Sequence, residues 1–364
     1  MPTHYFSEIP SDIAAINDYR HYAQQNLNAQ TWAYIDGGGA DEHTLKRNLS
    51  VYSNIKLLNR VLVDVSAGNT QLELLGQTLA HPIMIAPVAF HSLAHPDGEL
   101  ASAAAASAQQ AVFTLSTYSS ISIEQLASQV LGQHWFQLYY QQPREVNLDL
   151  IRRAENAGFK AIVFTVDAPI NGLRNREQRA GFHFPKHLQA ENLKKYDLHN
   201  PTVNPDDSKV FQGFMGQAPN WQDLAWLRQQ TKLPFVLKGV LHPLDAIKAK
   251  EHGMDALVIS NHSGRSLDTL ANPIDVLPAI RQAVGELPLI VDSGIRRGTD
   301  IVKAYALGAN AVMIGRPVLY ALATAGALGV AHCLRLLRDE LELSMALCGY
   351  ASLDEINADC LWHP

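Results

Sequence analysis

Cysteine is scarce, neither sign of charge is in large excess, and long apolar runs are missing. Three cysteines occur in 364 residues, at Cys333, Cys348 and Cys360. An odd set without Cys-x-x-Cys spacing excludes a disulfide framework or a zinc ribbon and fits reduced thiols in the cytoplasm. The formal net charge is −6 and no basic block occurs, which argues against nucleic acid as a partner. The start, Met1-Pro2-Thr3-His4-Tyr5, lacks the basic-then-apolar pattern of a signal peptide. No run reaches the roughly 18 apolar residues of a membrane helix. The longest, Val318 to Val330, is broken by Gly326 and Gly329, so no membrane partner is expected. There is no HExxH, no Walker A sequence and no completed GxGxxG. His91 and His95 are four apart but lack a third ligand, so no metal is expected. Gly37-Gly38-Gly39 follows no strand and is read as a helix C-cap.

Apolar residues are plentiful, at 47%, against 18% charged. That supports a large core and excludes disorder. The length allows two domains or one large α/β barrel. Strand-length apolar runs recur at Ile83 to Val88, Val112 to Leu115, Trp135 to Leu138, Ala161 to Val166, Phe235 to Leu237, Ala256 to Ile259, Leu289 to Val291 and Ala311 to Ile314. Helical segments lie between them, and Gly158, Gly253 and Gly308 close three of these. The alternation predicts an α/β fold, a single (β/α)8 TIM barrel, with a doubly wound sheet as the alternative. Residues 1–80 are expected to hold one or two helices and a hairpin near Ile55 to Val65, capping the barrel. Residues 81–364 form the barrel, with a polar inserted loop at about 181–220, between strand four and its helix, as a lid.

Barrel chemistry sits at the C-terminal ends of the strands. Those ends carry Pro87-Val88-Ala89, Ser116, Gln137 with Tyr139, Thr165 with Asp167, Lys238, Ser260 with His262 and Arg265, Asp292-Ser293-Gly294, and Gly315-Arg316. The run Ser260-Asn261-His262-Ser263-Gly264-Arg265-Ser266-Leu267-Asp268 puts a base and a fixed cation at one strand end. That pairing suits proton abstraction beside a carboxylate. Asp292-Ser293-Gly294-Ile295-Arg296-Arg297-Gly298 and Gly315-Arg316 follow the last two strands, where barrels commonly bind phosphate. Glycine and arginine together in both turns suit an anion better than two ordinary turns would.

The strand-six run resembles the Ser-Asn-His-Gly-Gly-Arg-Gln-Leu-Asp signature of the FMN-dependent 2-hydroxy-acid oxidases and dehydrogenases. Ile85-Ala86-Pro87, Phe136-Gln137-Leu138-Tyr139, Thr165-Val166-Asp167, Leu237-Lys238-Gly239-Val240 and Arg296-Arg297-Gly298-Thr299-Asp300 extend the likeness from about Tyr34 to about Gly349. The resemblance implies FMN as cofactor and a short L-2-hydroxy acid, lactate or glycolate, as substrate. It implies O2 as acceptor, H2O2 as product and a homotetramer or octamer. His262 would be the base and Asp167 its partner. Arg265 and Arg174 would hold the substrate carboxylate, with Arg176 a competitor for the second place. Tyr139 and Tyr34 would bond the substrate's oxygens. Lys238 would lie near flavin N1, and Ser116, Gln137, Thr165 and Ser260 along the ring edge. Pro87, Val88 and Ala89 would line one ring face, Asp292 would take the ribityl chain, and Arg296, Gly315 and Arg316 the phosphate. Ser293 and Gly294 belong to the same turn.

Ser263 and Ser293 stand where the family usually has Gly. A positive φ at Ser263 would cost about 1 kcal/mol. Tyr118 replaces the Trp of some relatives, and Ala89 predicts room for a short side chain. Competing expectations are a dehydrogenase with a quinone or protein acceptor, an enzyme of bulkier acids such as mandelate, and an FMN-dependent isomerase or a flavin binder without turnover.

Overall fold

The computed structural model describes residues 5–198 and 203–362. The expected segment 181–220 therefore has residues 199–202 outside the described range. Eight parallel strands close into a barrel. They are β1 (Ile83–Ile85), β2 (Val112–Ser116), β3 (His134–Leu138), β4 (Ile162–Thr165), β5 (Phe235–Val240), β6 (Ala256–Ile259), β7 (Leu289–Asp292) and β8 (Ala311–Ile314). Each strand pairs with the next, and β8 returns to β1 with Val312 against Ile83. The near-continuous apolar runs are explained by burial on both faces.

Period two sorts the side chains. Val112, Trp135, Val163, Val236, Val258 and Ile290 form one buried interior cluster. Two residues further on, Gln137, Thr165, Lys238 and Asp292 line the main cavity. An inward residue is followed by another inward residue two places later. The apolar plug and the polar rim are thus consecutive layers of one pattern.

The hairpin expected near Ile55 to Val65 lies elsewhere. Leu72–Leu74 pairs with Gln77–Leu79 across Leu75-Gly76, and both residues of that turn have positive φ. Its Leu74 and Leu79 complete the interior cluster, and Gln77 accepts from the Trp135 indole at 3.3 Å. This hairpin closes the N-terminal mouth of the barrel. Lys56–Leu57 pairs instead with Leu361–Trp362, a partner too distant for local pattern to reveal. Among the described residues three α-helices precede the barrel, Tyr19–Asn26, Ala29–Asp36 and His43–Asn54, rather than one or two. The latter two reach the opposite mouth, where Asn48 exchanges side-chain hydrogen bonds with Asn261 at 2.9 and 2.8 Å.

The helix Arg316–Cys348 is apolar enough to span a membrane by composition, but 78% of that window is buried in the fold. It breaks at Ala325–Gly326, where Gly326 has φ +55°, at one of the two glycines singled out in the sequence.

Candidate active site

His262 lies just beyond β6 with its ring held at both nitrogens. Nδ1 is 2.8 Å from Asp167 Oδ1 and Nε2 is 3.3 Å from the Tyr139 hydroxyl. Its backbone has φ +55°, and its N–H donates to Ser260 Oγ at 3.0 Å. Asp167 is buried, which by itself would raise its pKa. The charges of His262 and Lys238 overcome burial and hold the carboxyl below its usual range, so it stays anionic beside the imidazole. Tyr139 is pushed up, mainly by burial and then by the Asp167 charge, and stays a neutral phenol.

Gly239 was not singled out as a site residue, yet it makes the His262–Asp167 hydrogen bond possible. Its φ is +108°, and a Cβ there would lie 2.5 Å from Asp167 Cβ and Cγ. Gly239→Ala is therefore expected to displace Asp167 and slow turnover at least about tenfold, through strain and a misaligned base. Steady-state rates on folded, flavin-loaded protein check this.

Arg174 and Arg265 border the same cavity, as does Arg316. Arg265 Nη1 donates to the Tyr34 and Gly37 carbonyls at 2.7 and 2.9 Å, and its guanidinium lies 5.0 Å over the Tyr34 ring. Arg174 faces the cavity, and Arg176 does not. Arg176 is bound by Asp36 and Glu42, so of the two it is Arg174 that lines the cavity. Glu177, absent from the sequence expectations, accepts from both Arg174 and Arg265. Tyr34 stacks on Phe182 with centroids 4.6 Å apart.

The rim continues through β5, β6 and β7. Lys238 Nζ lies 3.1 Å from Ser260 Oγ and 3.2 Å from Asp292 Oδ2. Burial lowers its pKa, but Asp292 and Asp167 raise it further, so it keeps its charge. Ser116 donates to Gln137 Oε1 at 3.1 Å. Gln137 Nε2 and Thr165 Oγ1 are buried without partners. Ala86 to Ala89 line the opposite wall. Beside this cavity, of about 800 Å³, a small recess is bounded by Asp292, Ser293, Gly294, Arg296, Gly315 and Arg316. Arg296 Nε is buried and unpartnered there. Arg316 donates to the carbonyls of Ile35, Ser263 and Gly37, and burial together with Arg265 pulls its pKa down to about 10.

The two serines that replace glycine meet each other. Ser263 has φ +54° and Ser293 φ +85°, and the Ser263 N–H donates to Ser293 Oγ at 3.0 Å. The positive φ anticipated at Ser263 is thus present, and the hydroxyl that bonds the turn is that of Ser293. Gly37 does end the helix Ala29–Asp36, its N–H donating to Ala33 O. Gly39 does more, donating to Gly264 O at 2.7 Å and so clamping the His262 loop. Asp268 accepts from the backbone N–H groups of Thr44, Asp41 and His43. Against the effect of burial, backbone hydrogen bonds from Thr44, Thr269 and His43 draw its pKa down to about 2. It caps the helix His43–Asn54 from 224 residues away, which no local signal could disclose.

Orphaned donors at Gln137 and Arg296, a charged lysine and an anion recess together fit a flat, polar-edged ring carrying a phosphate. The model of the FMN-dependent dehydrogenase family matches residues 23–363. An L-lactate oxidase of Alicycliphilus denitrificans is 45% identical, covering 97% of each chain. A peroxisomal (S)-2-hydroxy-acid oxidase of Oryza sativa subsp. japonica is 42% identical, over 94% of this chain and 93% of its own. A solved mandelate oxidase structure with 3,3-difluoro-2-hydroxy-3-phenylpropionic acid superposes with a TM-score of 0.87 at 38% identity, over 95% of this chain and 98% of that one. The barrel and its rim are those of an FMN-binding oxidoreductase. More particularly, the chain belongs to the family of FMN-dependent 2-hydroxy-acid oxidases and dehydrogenases and is an enzyme of the oxidase type.

Proposed function

We propose that the enzyme oxidises a short-chain L-2-hydroxy acid, lactate or glycolate, to the 2-oxo acid, with O2 reduced to H2O2. The observation that carries this is the His262–Asp167 pair set on the same cavity wall as Arg174 and Arg265. Bound FMN supplies the two-electron acceptor. The side chains do the rest. Arg265 and Arg174 hold the carboxylate, a planar anion that suits guanidinium groups. His262 takes a substrate proton at Nε2, while Asp167 fixes Nδ1 and stabilises the resulting cation. Tyr139 and Tyr34 donate to substrate oxygens. Lys238, still protonated although buried, favours negative charge on the ring edge near it. Ser116, Gln137, Thr165 and Ser260 bond that edge, Asp292 the ribityl chain, and Arg296, Gly294, Gly315 and Arg316 the phosphate. Pro87, Val88 and Ala89 form the wall against the ring.

A second reading, a bulkier acid such as mandelate, is favoured by one feature. Phe90, Tyr118 and Phe184 line the cavity as a chain of tilted rings, Phe90 lying 5.0 Å from Phe184 and 6.4 Å from Tyr118. Anaerobic spectra with L-lactate, glycolate and (S)-mandelate decide between them. We expect lactate or glycolate to bleach the flavin, and admitted air to restore its colour with one peroxide per substrate. Bleaching by mandelate alone establishes the second reading. Colour restored only by a quinone overturns the assignment of O2.

A further inference from the structure

Two guanidinium groups do not share a mostly buried wall without a counter-charge. Glu177 supplies it. Its Oε1 accepts from Arg174 Nη1 at 3.0 Å and from Arg265 Nη2 at 3.2 Å. The side chains of Arg174, Glu177 and Arg265 are 16%, 15% and 16% exposed, and all three line the main cavity. Arg174 stands at the N-cap of the short helix Asn175–Arg179, and Glu177 lies in its first turn. The arginines are not exhausted by this contact, since Arg174 Nε remains buried without a partner.

We propose that Glu177 is the resident counter-ion of this clamp, and that its charge restricts the enzyme to 2-hydroxy acids carrying a single carboxylate. The proposal rests on the assignment of Arg174 and Arg265 to the substrate carboxylate. Two guanidiniums and one carboxylate leave one positive charge, which one substrate carboxylate neutralises. A second carboxylate on the substrate side chain enters a wall that already holds Glu177. It also finds the remaining cations engaged. Lys238 is paired with Asp292, and Arg316 faces three backbone carbonyls. The rest of the lining includes Phe90, Phe184 and Leu188 together with neutral donors such as Tyr118, Gln141 and Asn171, none of which carries a positive charge. Like charge held beside the bound ligand is an efficient way to reject it.

Glu177→Gln isolates the charge, because the amide oxygen still accepts the same hydrogen bonds. Flavin-loaded wild type, E177Q and E177D are compared by kcat/KM for L-lactate, L-malate and the 4-methyl monoester of L-malate. The ester matches malate in shape with one charge fewer. Wild type is expected to favour the ester over malate by about tenfold or more. E177Q is expected to narrow that gap by a similar factor, through a lower KM for malate, and E177D, which keeps the charge, is expected to restore it. Equal use of malate and ester by wild type overturns the proposal even if E177Q fails to fold. An ester-to-malate ratio unchanged in folded E177Q overturns it as well. If no 2-hydroxy acid bleaches the wild-type flavin, the carboxylate assignment itself fails, and the absence of bleaching with lactate distinguishes that failure from the others.

Discussion

His262→Ala is expected to keep FMN bound and to slow flavin reduction by about a hundredfold or more, the low end of a general base's usual contribution. The alanine removes the ring that meets both Asp167 and the Tyr139 hydroxyl. It also leaves Asp167 buried with neither carboxylate oxygen bonded to a side chain, since Oδ2 already lacks a partner. The cofactor rim is untouched, because Lys238, Ser260 and Asp292 hold one another. Rapid-mixing absorbance of the anaerobic enzyme with L-lactate reads the rate, and the resting spectrum reads FMN content. A near-normal reduction rate in the flavin-loaded variant would remove His262 from the chemistry. A lost spectrum would point instead to a structural role.

Arg265→Met is expected to cost about a hundredfold or more in kcat/KM, mostly as a rise in KM, since truncating one partner of a buried charge contact commonly costs 2–5 kcal/mol. Its four contacts explain the size of the effect. Two go to the carbonyls of Tyr34 and Gly37, one to Glu177, and one is the approach to the Tyr34 ring. Arg265→Lys should rescue little, because a single ammonium cannot span that fork. Initial rates over a wide range of substrate concentration check both variants. An unchanged KM for Arg265→Met would refute the clamp.

Much of the molecule was legible because barrel construction is periodic. Ala256 to Ile259 and Ala311 to Ile314 match β6 and β8 residue for residue. Gly158, Gly253 and Gly308, expected to close helices, have φ of +81°, +75° and +107°. The hairpin was misplaced because Ile55 to Val65 has strand-like residues but no tight turn. The true turn, Leu75-Gly76, needs positive φ at two positions, and only one of these is glycine.

The sequence by itself determined which residues crown the strands. Alternation along each strand is a local property, and a polar residue two places beyond an inward apolar one must face the cavity. What it could not determine is how those crowns are wired. Asp167 meets His262 across 95 residues, and only because Gly239 on a third strand has no side chain. Arg174 rather than Arg176 faces the cavity because Asp36 and Glu42, far upstream, claim Arg176. Asp268 caps a helix it does not belong to, and Glu177 joins two arginines from different loops. These pairings depend on how loops dock on a closed barrel, and Coulombic and hydrogen-bond energies act on distance in space, not on spacing along the chain.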